Sequence, residues 1–337
     1  MSQEIDFAHP TNKLEDVLFP VKLQEIYSEF RFPATLFNQQ IFTQNHKAVV
    51  NQNSGEIISI VGSNYKLISN KEAIEMGKQI FTQLYPEVKT NDLIPYKVVA
   101  PLSKASAHID LIHKDVNFNV WEQETWLPYL RTSNSYNRTY ALSFEIGFAR
   151  KLCSNGVLFN KKTMKLKYLH SKSNKIELLT DSAQIKATSE LFIKQCQNLS
   201  KYELPKELMI PLVFQILNIN LELPEAKQRT KKLNYLRNLI EVVKVLTERY
   251  FTELGPNAYA AFNVMTELVS HQDEYKNLTG FYFNVRSFYT KPADWMDDFS
   301  NKISTNSVVI EQYLGKTIKS LESVKEQTQL EWMLNKE

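Results

Sequence analysis

The sequence predicts an α+β protein, with an antiparallel β-sheet in the N-terminal and central half packed against helices, and a largely helical C-terminal half. Two patterns carry this prediction. From Tyr96 to Phe159 apolar residues recur at every second position, as on strands with one covered face. Beyond about Thr180 they recur at helical spacing. Because the strand pattern lies before Tyr168 and the helical pattern follows it, α+β is favoured over α/β.

The chain divides into three predicted regions. The first is a lead-in with short strands, and a turn at Asn51–Gly55 separates two of them. The second holds a helix and the antiparallel sheet, and the third is helical and packs on that core. The predicted regions are 1–64, 65–180 and 181–337. The predicted strands of the lead-in are Leu36–Thr43, Ala48–Asn51 and Ile57–Val61.

A capping box predicts where the helix of the second region begins. Ser69 and Glu72 have the spacing at which each side chain satisfies the other residue's backbone N–H. Apolar residues follow at helical spacing as far as Leu84, and Pro86 ends the helix. The third region is predicted to contain a long helix with its apolar face from Leu236 to Tyr250, a helix over Asn257–His271 and a final helix over Ser307–Trp332.

Composition narrows the function classes. Hydrophobic residues make up 43% of the 337 and charged residues 23%, which is typical of globular proteins and argues against disorder. The phosphate-binding patterns G-x-x-x-x-G-K-[ST] and G-x-G-x-x-G are absent, so no nucleotide cofactor is predicted. Two cysteines, Cys153 and Cys196, are too few for a disulfide framework and predict a reducing, cytoplasmic setting. No apolar run of 18 residues exists, so no membrane partner is expected.

Five segments of the chain together carry a family resemblance: Tyr65–Ala73, Pro128–Leu130 with Asn134-Ser135, Arg150–Val157, Lys167–Ser171 and Asn257–His271. They resemble the phage/plasmid-like proteins grouped as domain-of-unknown-function family 932. The resemblance implies a phage or plasmid setting and carries no activity with it. One departure is at the central loop, where relatives often have S-H-D-G and this chain has Ser135-Tyr136-Asn137-Arg138.

Positive charge is concentrated just after the strand pattern. From Arg150 to Lys186 there are nine basic and two acidic residues, a net charge of +7, whereas the whole chain carries +3. A basic strand face can follow a phosphate backbone, and aromatic side chains can stack on bases. The alternative is a solvated lysine-rich face. The predicted nucleic-acid-binding residues are Arg131, Arg138, Arg150, Lys151, Lys161, Lys162, Lys165 and Lys167, with Tyr136 as a stacking group.

A second basic cluster lies at the start of the long predicted helix. Cations at a helix N-terminus oppose the helix dipole, so this cluster indicates a negatively charged partner, with a solvated turn as the alternative. Its members are Lys227, Arg229, Lys231, Lys232 and Arg237.

Residues that could carry chemistry are few. His108 and Asp110 share a strand face, which is compatible with a metal pair or a His–carboxylate dyad, but no third ligand is placed near them. Cys153 lacks a positioned base and is predicted to be structural. Asp294, Asp297 and Asp298 are better explained by an exposed helix face. No catalytic or metal-binding residue is therefore predicted.

These observations favour a nucleic-acid-associated protein of a phage or plasmid type element that binds single-stranded DNA. Its predicted plan, a sheet on helices with a basic groove, resembles phage single-strand annealing proteins, which implies a recombination setting. Two alternatives stay open. One is a non-enzymatic interaction or assembly protein that presents its late helices and forms homo-oligomers. The other is a metal-dependent hydrolase or nuclease that uses His108 and Asp110.

Overall fold

A computed structural model describes residues 13–31, 38–152, 155–159, 165–168, 182–271, 275, 289–304 and 309–328. The chain forms two units. The first unit comprises Met1–Val116, Pro128–Gly147 and Lys161–Ile185. The second comprises Asn117–Leu127, Phe148–Asn160 and Lys186–Glu337. The structure confirms an α+β fold, with antiparallel sheets in the N-terminal and central half and helices mostly in the C-terminal half.

The first unit begins with a three-stranded antiparallel sheet in the order β1–β2–β3, formed by β1 (Val21–Arg31), β2 (Asn38–Asn51) and β3 (Ile57–Gly62). The described part of the predicted strand Leu36–Thr43, from Asn38 onward, and the predicted strand Ala48–Asn51 both belong to the single strand β2. Strand β1 was not predicted from the sequence. The turn before β3 is confirmed, because Gly55 has a φ of 73° that favours glycine.

Helix α1 (Asn70–Leu84) follows, and its predicted capping box is present. The Ser69 amide donates to Glu72 Oε2 at 2.7 Å, and the Glu72 amide donates to Ser69 Oγ at 3.2 Å. The buried face of α1 packs on the next sheet, where Ile74 joins a core cluster with Ile109 and Leu111. Gly77 lies so close to this sheet that a Cβ there would stand 2.5 Å from Thr132 Oγ1.

The second sheet has seven strands, of which β10–β8–β7–β5–β4 form the main order, with β6 paired to β7 and β9 to β8. The antiparallel prediction is confirmed for the described ladders, but the strands β5, β7 and β8 are buried on both faces rather than one. The strands are β4 (Ile94–Val99), β5 (Ser106–Ile112), β6 (Phe118–Trp121), β7 (Glu124–Ser135), β8 (Leu142–Arg150), β9 (Gly156–Leu158) and β10 (Lys165–Tyr168).

Helices form most of the second unit. Phe192 lies at the centre of an aromatic cluster, with ring centroids of neighbouring aromatic residues 4.9–6.2 Å away. Among the described residues no helix is long and apolar enough to cross a membrane. The helices are α2 (Ser182–Ser200), α3 (Met209–Ile216), α4 (Ala226–Leu254), α5 (Ala258–Ser270), α6 (Lys291–Ser304) and α7 (Ile310–Thr328). The predicted ends of the last helix, Ser307 and Trp332, lie outside the described residues.

Candidate nucleic-acid interface

Arg131 lies on β7 in the first unit and is buried opposite Asp110 on β5. Its Nε donates to Asp110 Oδ1 and its Nη2 to Asp110 Oδ2, both at 2.7 Å. The two side chains are only 2% and 3% exposed. A buried charge is tolerated when it is paired in this bidentate geometry. The predicted DNA contact is therefore an internal ion pair in this structure.

Arg150 is buried in the second unit at the end of β8. Its Nε and Nη2 donate to the two carboxylate oxygens of Glu124 at 2.6 and 2.7 Å, and Nη2 also donates to Glu253 at 2.6 Å. Glu124 Oε1 further accepts the hydroxyl of Tyr259 at 2.5 Å and the indole N–H of Trp126 at 3.2 Å. Each Glu124 oxygen is thus bonded, as a buried carboxylate requires.

Tyr136 is fully buried in the first unit. Its hydroxyl accepts the backbone N–H of Asn70 at 2.9 Å, and its ring packs in a cluster with Val49, Val61 and Tyr65. Burial raises the pKa of Tyr136 to about 12, because the phenolate would lose its hydration. A ring held in this way has no face for a nucleic-acid base.

The remaining predicted contacts differ in their placement. Arg138, with a φ of 61°, and Lys151 are exposed. Lys165 and Lys167 lie on β10, where their Cα partners on β8 are Glu145 and Ser143. Lys161 and Lys162 lie outside the described residues, as do Cys153 and His170.

The second basic cluster lies on a single helix, α4, and the structure describes the exposure of each of its side chains. We define the α4 basic segment as Lys227, Arg229, Lys231, Lys232 and Arg237. From Ala226 to Ile240 the helix carries no acidic residue, whereas its last 14 residues mix Glu241, Glu248 and Glu253 with two basic residues.

Within the segment Lys227, Lys231 and Arg237 are exposed. Lys232 is half-buried, with its Nζ 5.1 Å from the ring centroid of Tyr235, and burial lowers the pKa of Lys232. Among the described residues no carboxylate forms an ion pair with Lys227 or Lys231. Lys227 and Lys231 are thus available to an external anion.

A cavity of about 620 Å³ is lined in part by residues that precede α4 in the sequence. One wall is the loop up to Leu223, which lies three residues before Ala226, the first residue of α4. The other wall is α7, which contributes the exposed Lys316 and Lys319. The lining thus holds two lysines and one glutamate, Glu222, and neither lysine was singled out from the sequence.

His108 and Asp110, which the hydrolase alternative would use, are each hydrogen-bonded to another residue. His108 Nδ1 lies 2.7 Å from Ser133 Oγ, and the His108 ring stacks on Tyr140 with centroids 5.0 Å apart. Asp110 is held by Arg131 instead. Within the described part of the chain, no group of three or more His, Cys, Asp or Glu side chains could hold a metal ion. The geometry therefore lends the hydrolase alternative no support.

Fold and surface together define an α+β protein with a cationic helix segment and two internal ion pairs. The chain belongs to the family described as Domain of unknown function (DUF932), whose model matches residues 57–287. This confirms the resemblance seen in the sequence, and the description assigns no activity. No curated protein and no solved structure matches the chain.

Proposed function

We propose that this protein associates with nucleic acid and binds single-stranded DNA through the α4 basic segment. The observation that carries the proposal is the run of five cations without an acidic residue at the start of α4. Arg138, Lys151, Lys165 and Lys167 remain proposed contacts of the same ligand class. We further propose that the protein belongs to a phage or plasmid type element and acts in the cytoplasm of the host. The buried free thiol of Cys196 is compatible with such a reducing setting.

The electrostatics of α4 favour an external anion. Lys227 and Arg229 lie in the first turn, where a cation opposes the helix dipole at a cost of about 0.3 to 1 kcal/mol each. An anionic partner offsets this cost, because its phosphate groups attract the lysine and arginine side chains. Binding also releases the cations that were condensed on the nucleic acid, which favours the complex. Lys227 and Lys231 are four residues apart, so they lie on the same face of the helix, where one phosphate backbone can reach both.

Charge removal on α4 tests the proposal. We expect Lys227→Gln/Lys231→Gln to weaken binding of a fluorescein-labelled oligothymidylate by about 10- to 30-fold at roughly 0.1 M salt, since two phosphate contacts are lost. The measurement is fluorescence anisotropy. Lys206→Gln/Lys244→Gln is the matched control, with the same charge change at two lysines of the second unit that pair with Glu248 and Glu241. Equal affinity of the two double variants would remove the support for this segment.

An assembly role is the second candidate function. It is favoured by a different surface, where Tyr27 on β1 and Ile41 and Phe42 on β2 expose large apolar side chains.

A further inference from the structure

Strands β1 and β2 extend beyond the rest of their sheet. β3 pairs with β2 only from His46 to Val50. Past this point β1 and β2 pair with each other, from Tyr27 opposite Phe42 to Arg31 opposite Asn38. We call residues 26–31 and 38–45 the β1–β2 arm. Among the described residues no further strand pairs with this arm.

The arm exposes large apolar side chains. Tyr27 is 45% exposed, Ile41 50% and Phe42 52%, and the rings of Tyr27 and Phe42 lie 5.6 Å apart on one face. Every residue from Ile41 to His46 is exposed. A two-stranded hairpin without packing on either face is only marginally stable in water. The arm therefore gains stability from any partner that covers it.

The free edge of β2 in the arm lacks charge and proline, two of the features that normally keep strand edges apart. The register irregularity between Glu25 and Tyr27 sets residues 43–46 of β2 opposite Ile26, beyond the regular pairing that ends at Phe42. Charged side chains, proline and bulges protect exposed edges from pairing with another chain. The segment Asn38–Gln44 reads N-Q-Q-I-F-T-Q and contains no charge, no proline and no glycine. By contrast, β3 lies against the core of the first unit, where Ile58 packs and Ser59 Oγ donates to the carbonyl of Tyr136.

We propose that the arm pairs with the arm of a second copy of this chain, antiparallel and with the two-fold axis at Ile41, within the regular part of β2 that ends at Phe42. The pairing is isologous and closes, so it gives a dimer with the four-stranded order β1–β2–β2–β1. Because the segment is uncharged, two copies meet without like-charge repulsion. The same lack of cations disfavours a nucleic acid as the occupant.

The arm precedes residue 57, where the match to the family model begins. Substitutions on its exposed side chains therefore leave the matched segment itself unchanged. The dimer is independent of the α4 basic segment, so a failure of DNA binding and a failure of dimerisation are separate results.

Sedimentation velocity over roughly 1 to 100 µM protein tests the dimer, because its population depends on protein concentration. We expect the wild-type chain to sediment as a dimer at the upper end and Ile41→Lys/Phe42→Lys to be monomeric, since lysines then face each other across the axis. Ile57→Lys/Ile60→Lys is the control, on β3 side chains that are 60% and 61% exposed, and it should still dimerise. A wild-type monomer throughout, or dimers of both variants, overturns the proposal.

Cross-linking tests the register and does not depend on a charged variant folding. Ile41→Cys places one thiol of each copy beside the two-fold axis, where mild oxidation should give a disulfide-linked dimer. Ile57→Cys is the matched control and should give only the background of the wild-type chain. Equal yields of dimer from the two cysteine variants contradict pairing at Ile41.

Discussion

Arg150 and Glu124 form a bidentate ion pair inside the second unit, with donor–acceptor distances of 2.6 and 2.7 Å and side chains 2% and 5% exposed. The pair joins the end of β8 to the start of β7, and Tyr259 brings α5 to the same carboxylate. Burial, the neighbouring Cys196 and the Glu124 carboxylate raise the pKa of Tyr259, so its hydroxyl remains a donor. Arg150 therefore has a structural role in the unit.

Removing one partner of this pair should destabilise the protein. We expect Arg150→Met to lower the free energy of unfolding by about 3 to 5 kcal/mol, because Glu124 is left buried without its counter-charge. Urea denaturation followed by circular dichroism measures the change. Arg150→Met/Glu124→Leu should recover much of the loss, whereas Lys206→Met, at an exposed pair with Glu248, should change stability by less than about 1 kcal/mol. A loss as large in the exposed control would contradict this account.

Arg131 should affect stability and leave DNA binding unchanged. Arg131→Gln leaves Asp110 buried without a bidentate partner, so we expect a loss of about 3 kcal/mol in unfolding free energy. The affinity of the folded variant for labelled oligothymidylate, measured by anisotropy below its unfolding temperature, should equal that of the wild-type chain. A weakened affinity in the folded variant would restore Arg131 as a nucleic-acid contact.

Gly77 should resist even the smallest side chain. Gly77→Ala places a Cβ 2.5 Å from Thr132 Oγ1 and 3.1 Å from Leu111, so overpacking should lower stability by about 1 to 3 kcal/mol. Gly77→Ala/Thr132→Ala should recover part of this loss. Gly315→Ala is the control, since α7 leaves open space there and alanine should stabilise the helix by about 0.5 to 1 kcal/mol. Thermal unfolding of the wild-type chain and the three variants measures the order of their stabilities.

Tyr136 should make the first unit sensitive to alkaline pH. The folded pKa of about 12 lies above the ordinary value of 10.0, so below pH 10 both states bind the phenolic proton and its contribution is fully present. As pH rises from 10 to 12 the unfolded state loses the proton first, and about 2 to 3 kcal/mol of stability is lost. Tyr136→Phe should show a smaller loss over this window in urea titrations. An identical loss would assign the effect to other tyrosines.

Local signals in the sequence were sufficient for the elements that depend on neighbouring residues. The capping box of Ser69 and Glu72 and the turn at Gly55 were predicted because each is specified within a few residues. Strand β1 was missed because its alternation breaks at the irregular register between Glu25 and Tyr27. The α4 basic segment was found because its five charges lie close together along one helix, with no acidic residue between them.

The burial of Arg131 and Arg150 could not be read from local pattern. Their partners lie 21 and 26 residues away along the chain, on strands whose pairing only the fold determines. One signal pointed the right way: Asp110 stands between Ile109 and Leu111 on a strongly apolar strand, where a carboxylate requires a buried cation.

The salt dependence of DNA binding measures how many phosphates the α4 basic segment contacts. If the five cations of the α4 basic segment contact phosphates, the logarithm of the association constant for labelled oligothymidylate should fall against the logarithm of salt concentration with a slope of about −3.5. Lys227→Gln/Lys231→Gln should reduce the magnitude of that slope by about 1.4. No binding at low salt, or the same slope for the variant and the wild-type chain, would contradict the claim.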